Sequence, residues 1–195
     1  DLSERARPPS WRLFIAHPVP HEVRVELQRQ LAPYRRAHPE VRWTRPATWH
    51  LTLLFFGSVP PDRVPELERL IDDVAARNGP YEATVDQGGG RVRRGEGVAW
   101  LGLSAGAGRL IEAATLTAEG CPSDLTDGPP PKRTPSAHLT VVRRADLAVV
   151  MALRDQAHGR LRVGWTVDRL RLVRSHLERG GARYETLHET RCRLD

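Results

Sequence analysis

Lysine is almost absent from this chain. Of 30 basic residues Lys132 is the one lysine, and the rest are arginine. Cysteine is scarce too: Cys121 and Cys192 stand far apart, which excludes a disulfide framework and a metal-spaced pair. Two unpaired thiols fit a reducing, cytoplasmic setting. No uninterrupted apolar run reaches the ~20 residues of a membrane-spanning helix, so no membrane association is expected. The opening "DLSERARPPSWRLF" has no apolar core of a secretory signal, and residues 1–10 read as a disordered tail. No glycine-rich stretch ends in Gly-Lys-(Ser/Thr), and "GLSAGAG" (102–108) lacks the trailing acid of a dinucleotide fingerprint.

What remains is a chain of 195 residues, 39% hydrophobic, with a formal net charge of +6. That length buries a core without staples and suits one domain or two small lobes. Arginine stays charged and holds phosphate with a planar fork, so the charge leans toward a polyanionic partner such as RNA. A composition rich in Arg, Ala, Gly and Pro together explains it equally well.

The pattern alternates short strands and helices. "WRLFIAHPVP" (11–20) reads as a buried strand. Val23, Leu27 and Leu31 then mark one helical face, with Pro33 expected to end or kink that helix. "VRW" (41–43) and residues 48–56 read as strands, the second closed by Gly57. Asp62 is placed to cap a helix carrying Pro65 in its first turn and Val64, Leu67, Ile71 and Val74 along one stripe. Strand 81–86 follows, then "QGGGRVRRGEG" (87–97) as a basic loop, strand 98–103 and helix 107–119, with Gly120 as its stop. A surface loop over 121–136 leads to strand "AHLTVV", a helix from Asp146 to about His158, and strands 165–173 and 182–189. This order predicts an α+β fold with mostly antiparallel sheets. Strand–helix units also recur with a period of roughly 90 residues.

"TWHLTLLFFG" (48–57) and "SAHLTVVRRA" (136–145) carry the same His-Leu-Thr in two apolar strands, 88 positions apart. Strand side chains alternate faces, so His50 shares a face with Thr52, and His138 with Thr140. Leu51, Leu53, Leu139 and Val141 fall on the opposite, packing faces. Two lobes related by an approximate two-fold would place four polar groups across one cleft. Opening a cyclic phosphodiester needs a base for water and an acid for the departing oxygen. Histidine performs either role near neutral pH, and threonine hydroxyls can hold the phosphate oxygens without a metal or other cofactor. A zinc site built on these histidines is a weak option, because neither has a carboxylate or cysteine at ligand spacing.

The paired H-x-T motifs resemble those of the two-histidine (2H) phosphoesterase superfamily. Within it, the chain resembles the RNA 2′,3′-cyclic phosphodiesterases, also called 2′-5′ RNA ligases. "RLFIAHPVP", "VRWTRPATWHLTLLFFG", "AHLTVVRR" and "SHLERGGARYETL" carry the likeness, which spans roughly residues 11–190. It implies a bilobal α+β domain over 11–195, with two mostly antiparallel sheets lining a central cleft and helices outside. It also implies metal- and cofactor-free hydrolysis of an RNA-terminal 2′,3′-cyclic phosphate to a 2′-phosphate, with 2′-5′ ligation as a secondary reverse reaction. By resemblance His50 matches the proton donor and His138 the base, though the two copies are too alike for physics to assign the roles. Thr52 and Thr140 match the phosphate-binding hydroxyls, and Arg143 the arginine after the second motif. Ala137 stands where the family usually has proline, and Arg133 is a possible match to its lead-in arginine. The expected partners are RNA with a 2′,3′-cyclic phosphate end or small cyclic nucleotides, bound by a monomer. The rival readings are a relative acting on a small cyclic phosphate or 2′-5′ oligoadenylate, and an RNA-binding module without turnover.

Other candidates carry competing structural readings. Arg91, Arg93 and Arg94 suit a phosphate-binding rim or a solvated loop. Arg144 sits beside Arg143 on a motif strand. Trp43 and Trp49 could stack a base but read better as packed tryptophans. At least one of Phe55 and Phe56 must face the core. His17, His21, His38, His158, His176 and His188 have no second copy and read as surface or structural.

Overall fold

The computed structural model describes residues 9–126, 132–133, 137–157 and 160–193. Most of the expected tail, half of the 121–136 loop and His158 therefore lie outside the described residues. Among the described residues ten strands and four α-helices run in the order β1 (Trp11–Pro18), α1 (His21–Ala37), β2 (Arg42–Trp43), β3 (His50–Val59), α2 (Val64–Asn78), β4 (Tyr81–Arg93), β5 (Glu96–Ala105), α3 (Ala107–Gly120), β6 (Lys132–Arg133), β7 (His138–Ala145), α4 (Leu147–Ala157), β8 (Val163–Val167), β9 (Arg169–Glu178) and β10 (Gly181–Arg191). They build two five-stranded sheets, ordered β10-β9-β1-β3-β6 and β2-β7-β5-β4-β8. Every pairing is antiparallel.

The two sheets are built alike. The motif strands β3 and β7 each lie one place from an edge, beside a two-residue edge strand. Those edge strands are exchanged: β2 precedes β3 in the chain but pairs with β7, and β6 precedes β7 but pairs with β3. Helices are exchanged too. Val23, Leu27 and Leu31 of α1 follow β1 yet pack into one core with Leu101 and Leu139 of the second sheet. Ala113 and Ala114 of α3 follow β5 yet pack with Leu53 and Ile71 in the core of the first. The chain is therefore two interlocked halves, and each lobe needs segments from both.

Several local expectations are corrected. Pro33 does not end α1, which runs on to Ala37. Pro33 is on the exposed side, where water can satisfy the carbonyl it leaves without a donor. Asp62 caps nothing: it sits in a 3₁₀ turn, and α2 starts after Arg63 without a side-chain cap. Gly57 does not close β3 but lies within it at φ 79°, and the strand begins at His50 rather than residue 48. Residues 165–173 belong to two strands, split at Asp168. Gly120 is the last residue of α3, ahead of a Cys121 cap.

The largest correction concerns "QGGGRVRRGEG". It forms the distal part of a long β4–β5 hairpin, turned by Arg94 and Gly95, both at positive φ (54° and 78°). Each glycine of the run has a packing reason. A Cβ on Gly88 would sit 1.9 Å from the Leu153 carbonyl oxygen, and one on Gly90 would sit 2.7 Å from the Val150 methyls. Helix α4 thus rests directly on the backbone of β4. Gly89 points the other way, where a Cβ would meet the Trp100 indole nitrogen at 2.6 Å.

Candidate active site

Period-two alternation sets the first part of the site. Leu51, Leu53, Leu139 and Val141 are fully buried, while His50, Thr52, His138 and Thr140 are only partly covered. Strands β3 and β7 approach each other, and the charge of His138 is close enough to act on His50.

β-Bulges set the second part. Arg143 is five residues from His138, an odd spacing that would place it on the opposite face of a regular strand. The register slips between Trp100↔Thr140 and Ala99↔Val142, so Val141 and Val142 both enter the core and Arg143 returns to the histidine face. Its guanidinium then bears on His50. β3 repeats the device: the slip between Ala16↔Thr52 and Ile15↔Leu54 buries Leu53 and Leu54 and returns Phe55 to the histidine face, 46% exposed. Arg144 forms a further irregularity at φ 62° and is exposed.

The surroundings of the two imidazoles differ. His50 lies against Phe14 (ring centroids 4.9 Å apart) and edge-on to Tyr184 (5.3 Å). Its Nδ1–H donates to the Thr48 carbonyl at 2.7 Å, which leaves Nε2 as the second functional nitrogen. Its pKa is pushed down to about 4, chiefly by burial, with the positive charges of Arg143 and His138 adding and the Thr48 bond opposing. A small cavity beside it is bordered by Phe14, Thr48, His50, Arg171, Tyr184 and Thr186. His138 instead lies against Trp100, with ring centroids 5.2 Å apart.

Trp100, Phe14 and Tyr184 were not singled out from the sequence. Tyr184 falls in the quoted "SHLERGGARYETL" block, but cross-strand neighbours such as Trp100 follow from register, which no local pattern reveals. Trp49 is a core residue, its indole bonded to Thr44 Oγ1 at 2.8 Å, and Trp43 donates to the His38 carbonyl. Arg91, Arg93 and Arg94 are exposed at the hairpin tip and border neither the cavity beside His50 nor the arginine-lined one described below. His176 and His188 pair with Glu185 and Asp72, and His17 is fully buried. Phe56 is the core member of its pair. The Arg133 side chain lies outside the described residues. Cys192 is buried and Cys121 half-buried; burial raises the pKa of both thiols. Among the described residues no three His, Cys, Asp or Glu side chains are grouped to hold a metal ion, and no helix is long and apolar enough to cross a membrane.

Residues 18–91, which hold the first motif strand, match the family model described as LigT-like phosphoesterase. Over 184 residues the chain is 29% identical to the RNA 2′,3′-cyclic phosphodiesterase of Thermus thermophilus, covering 91% of this chain and 88% of that protein. The crystal structure of TT0787 from Thermus thermophilus superposes with a TM-score of 0.73 at 25% identity, over 94% of this chain and 99% of that one. That of E. coli LigT complexed with 3′-AMP gives 0.70 at 26% identity, over 94% and 98%. By motif, fold and these matches, the chain carries a domain similar to the LigT-like (2H) phosphoesterases.

Proposed function

We propose that the protein is an RNA 2′,3′-cyclic phosphodiesterase that works by histidine acid–base catalysis. The observation that carries this reading is the pair of partly covered imidazoles, one from each sheet, close enough for His138 to bear on His50. Each has a threonine on the same face. The activity named for the Thermus thermophilus relative supports the substrate class.

In this reading His138 takes a proton from water as its oxygen attacks phosphorus. The P–O3′ bond breaks, and protonated His50 delivers its proton to the departing O3′, leaving a 2′-phosphate. Thr52, Thr140 and Arg143 hold the non-bridging oxygens as negative charge gathers there. In the free protein His50 favours its neutral form, so the anionic substrate must raise its pKa before it acts as the acid. If a 5′-hydroxyl replaces water as the nucleophile, the same groups run the same displacement, with P–O3′ breaking and P–O5′ forming, and join the ends through a 2′-5′ linkage.

The test is to incubate the protein with adenosine 2′,3′-cyclic phosphate in EDTA and identify the phosphomonoester. Adenosine 2′-phosphate is expected. His50→Ala and His138→Ala should each lower kcat by about 10²–10⁴-fold. Full activity in either variant overturns the assignment, and loss of turnover in EDTA points to a metal. Turnover of 2′-5′ oligoadenylate alone points to the rival relative.

A further inference from the structure

Arg42 and Arg45 follow the first helix, Arg143 ends the second motif, and Arg179 sits in the β9–β10 turn. The fold brings all four to one cavity of about 220 Å³, which Thr48 and Tyr184 also line. The cavity lies where the sheets meet: Arg42 donates to the Gly180 carbonyl at 2.9 Å and Arg45 to the Ala182 carbonyl at 3.0 Å, tying β2 to the β9–β10 hairpin. Each guanidinium carries five N–H donors, so one bond to a carbonyl leaves most of them available.

The charge here is unbalanced. One carboxylate lines the cavity, Glu178, and it is engaged by Arg183 at 2.6 Å, which with lesser help from Arg45 holds its pKa below the usual range. Among the described residues neither Arg143 nor Arg179 forms an ion pair. Like charges at this density repel, so their grouping costs stability unless an anion joins them. Tyr184 and Thr48 also line the cavity beside His50, and the Tyr184 ring stands 5.3 Å from the imidazole. One aromatic side chain therefore separates the four-arginine cavity from the reacting centre.

Resting on the function proposed above, we infer that this cavity binds a second phosphate of the RNA chain: the internucleotide phosphate next to the cyclic one. The cyclic phosphate sits between the histidines with Arg143 on its oxygens, and its neighbour sits among Arg42, Arg45 and Arg179. An oligonucleotide end is then preferred over a free cyclic mononucleotide. Recognition is by charge and fork geometry, so it does not depend on the base.

The test compares kcat/KM for adenosine 2′,3′-cyclic phosphate, for the ApA dinucleotide ending in the same group, and for that dinucleotide with a neutral methylphosphonate linkage. The charged dinucleotide should be preferred over the mononucleotide by about tenfold or more, the effect of one or two charge-assisted hydrogen bonds. The neutral dinucleotide should lose that preference. Arg179→Ala, which removes no described hydrogen bond, should reduce the preference mainly through KM and leave mononucleotide turnover unchanged. Arg42→Lys, which keeps the charge but not the fork, should do so more weakly. Equal treatment of mononucleotide and charged dinucleotide, or of the charged and neutral linkages, overturns the inference. If the mononucleotide is turned over with full dependence on His50, that result removes only the second subsite. If no cyclic phosphate is turned over, the function itself falls.

Discussion

The β1–β3 and β5–β7 ladders match residue for residue. His50 pairs with Pro18 and His138 with Gly102; Thr52 pairs with Ala16 and Thr140 with Trp100. The bulges fall at the same places, after which Phe55 pairs with Phe14 and Arg143 with Val98. One scaffold thus carries two sets of neighbours. Around His50 stand Phe14 and Phe55, with Tyr184 added from β10. Their counterparts in the second ladder are Val98 and Arg143, and His138 lies instead against Trp100, at the position Ala16 holds in the first. These unequal surroundings bear on His50 through burial and the Arg143 charge, so the two rings are not interchangeable. The backbone repeats; the chemistry does not.

The ladders differ behind the site as well. Gly89 of β4 pairs with Trp100, and Arg171 of β9 pairs with Ala16, the matched position. Their neighbours face the helices: Gly88 and Gly90 in the second sheet, Leu170 and Leu172, both fully buried, in the first. One helix rests on bare backbone and the other on leucines. Gly88→Ala should therefore destabilise the protein by about 3 kcal/mol or more, since its methyl must displace the Leu153 carbonyl. Leu170→Ala should cost a similar amount for the opposite reason, about 2–5 kcal/mol from an opened cavity. Urea denaturation of both variants checks the pair, and a neutral Gly88→Ala would break the close-contact account of α4.

Arg143 sharpens the comparison at the site itself. Arg143→Gln makes the second half as neutral as Phe55 makes the first. Losing one charge-assisted bond to phosphate should lower kcat/KM by roughly 10–100-fold. The charge of Arg143 also helps hold His50 down to about 4. Without it the lower of the two pKa values governing kcat/KM should rise, moving the acid limb of the pH profile upward. A fall in rate with the limb unmoved would assign Arg143 to phosphate alone.

Legibility in the sequence followed the range of the interaction. The faces of His50 and Thr52 follow from a two-residue period, and so did the core face of α1. The place of Arg143 did not, because it depends on a bulge at Val141 that only the partner strand β5 defines. "QGGG" looked like a loop because glycine is a poor strand former. Its strand exists because α4 and Trp100 press on both faces and leave no room for side chains. The exchange of β2 and β6 between lobes rests on pairings about 100 and 80 residues apart in sequence, which local pattern cannot carry.

The smallest expected effect tests the packing face of the same ladders. His17 pairs with Leu51 where Leu101 pairs with Leu139, so a histidine occupies one half's version of a leucine position. The ring is fully buried, its Nδ1 bonded to the Arg169 carbonyl at 2.7 Å and its Nε2 without a partner among the described residues. Burial pushes its pKa down to about 4, partly offset by the Arg169 bond. Below about pH 6.5 the unfolded chain takes up a proton that the native ring refuses, so stability falls as pH drops from about 6.5 to about 4. The full loss from this one residue is about 3 kcal/mol, from roughly 2.5 pKa units at 1.36 kcal/mol each. His17→Leu gives β1 the residue that β5 carries. At pH 7 it should change stability by about 1 kcal/mol or less, since it removes a buried orphan nitrogen but strands the Arg169 carbonyl. At pH 4.5 it should be clearly more stable than the parent. His50 titrates in the same window, so the acid slope should shrink without vanishing. Urea unfolding at both pH values reads the difference, and parallel losses in parent and variant would mean that His17 takes up its proton in the native state without penalty.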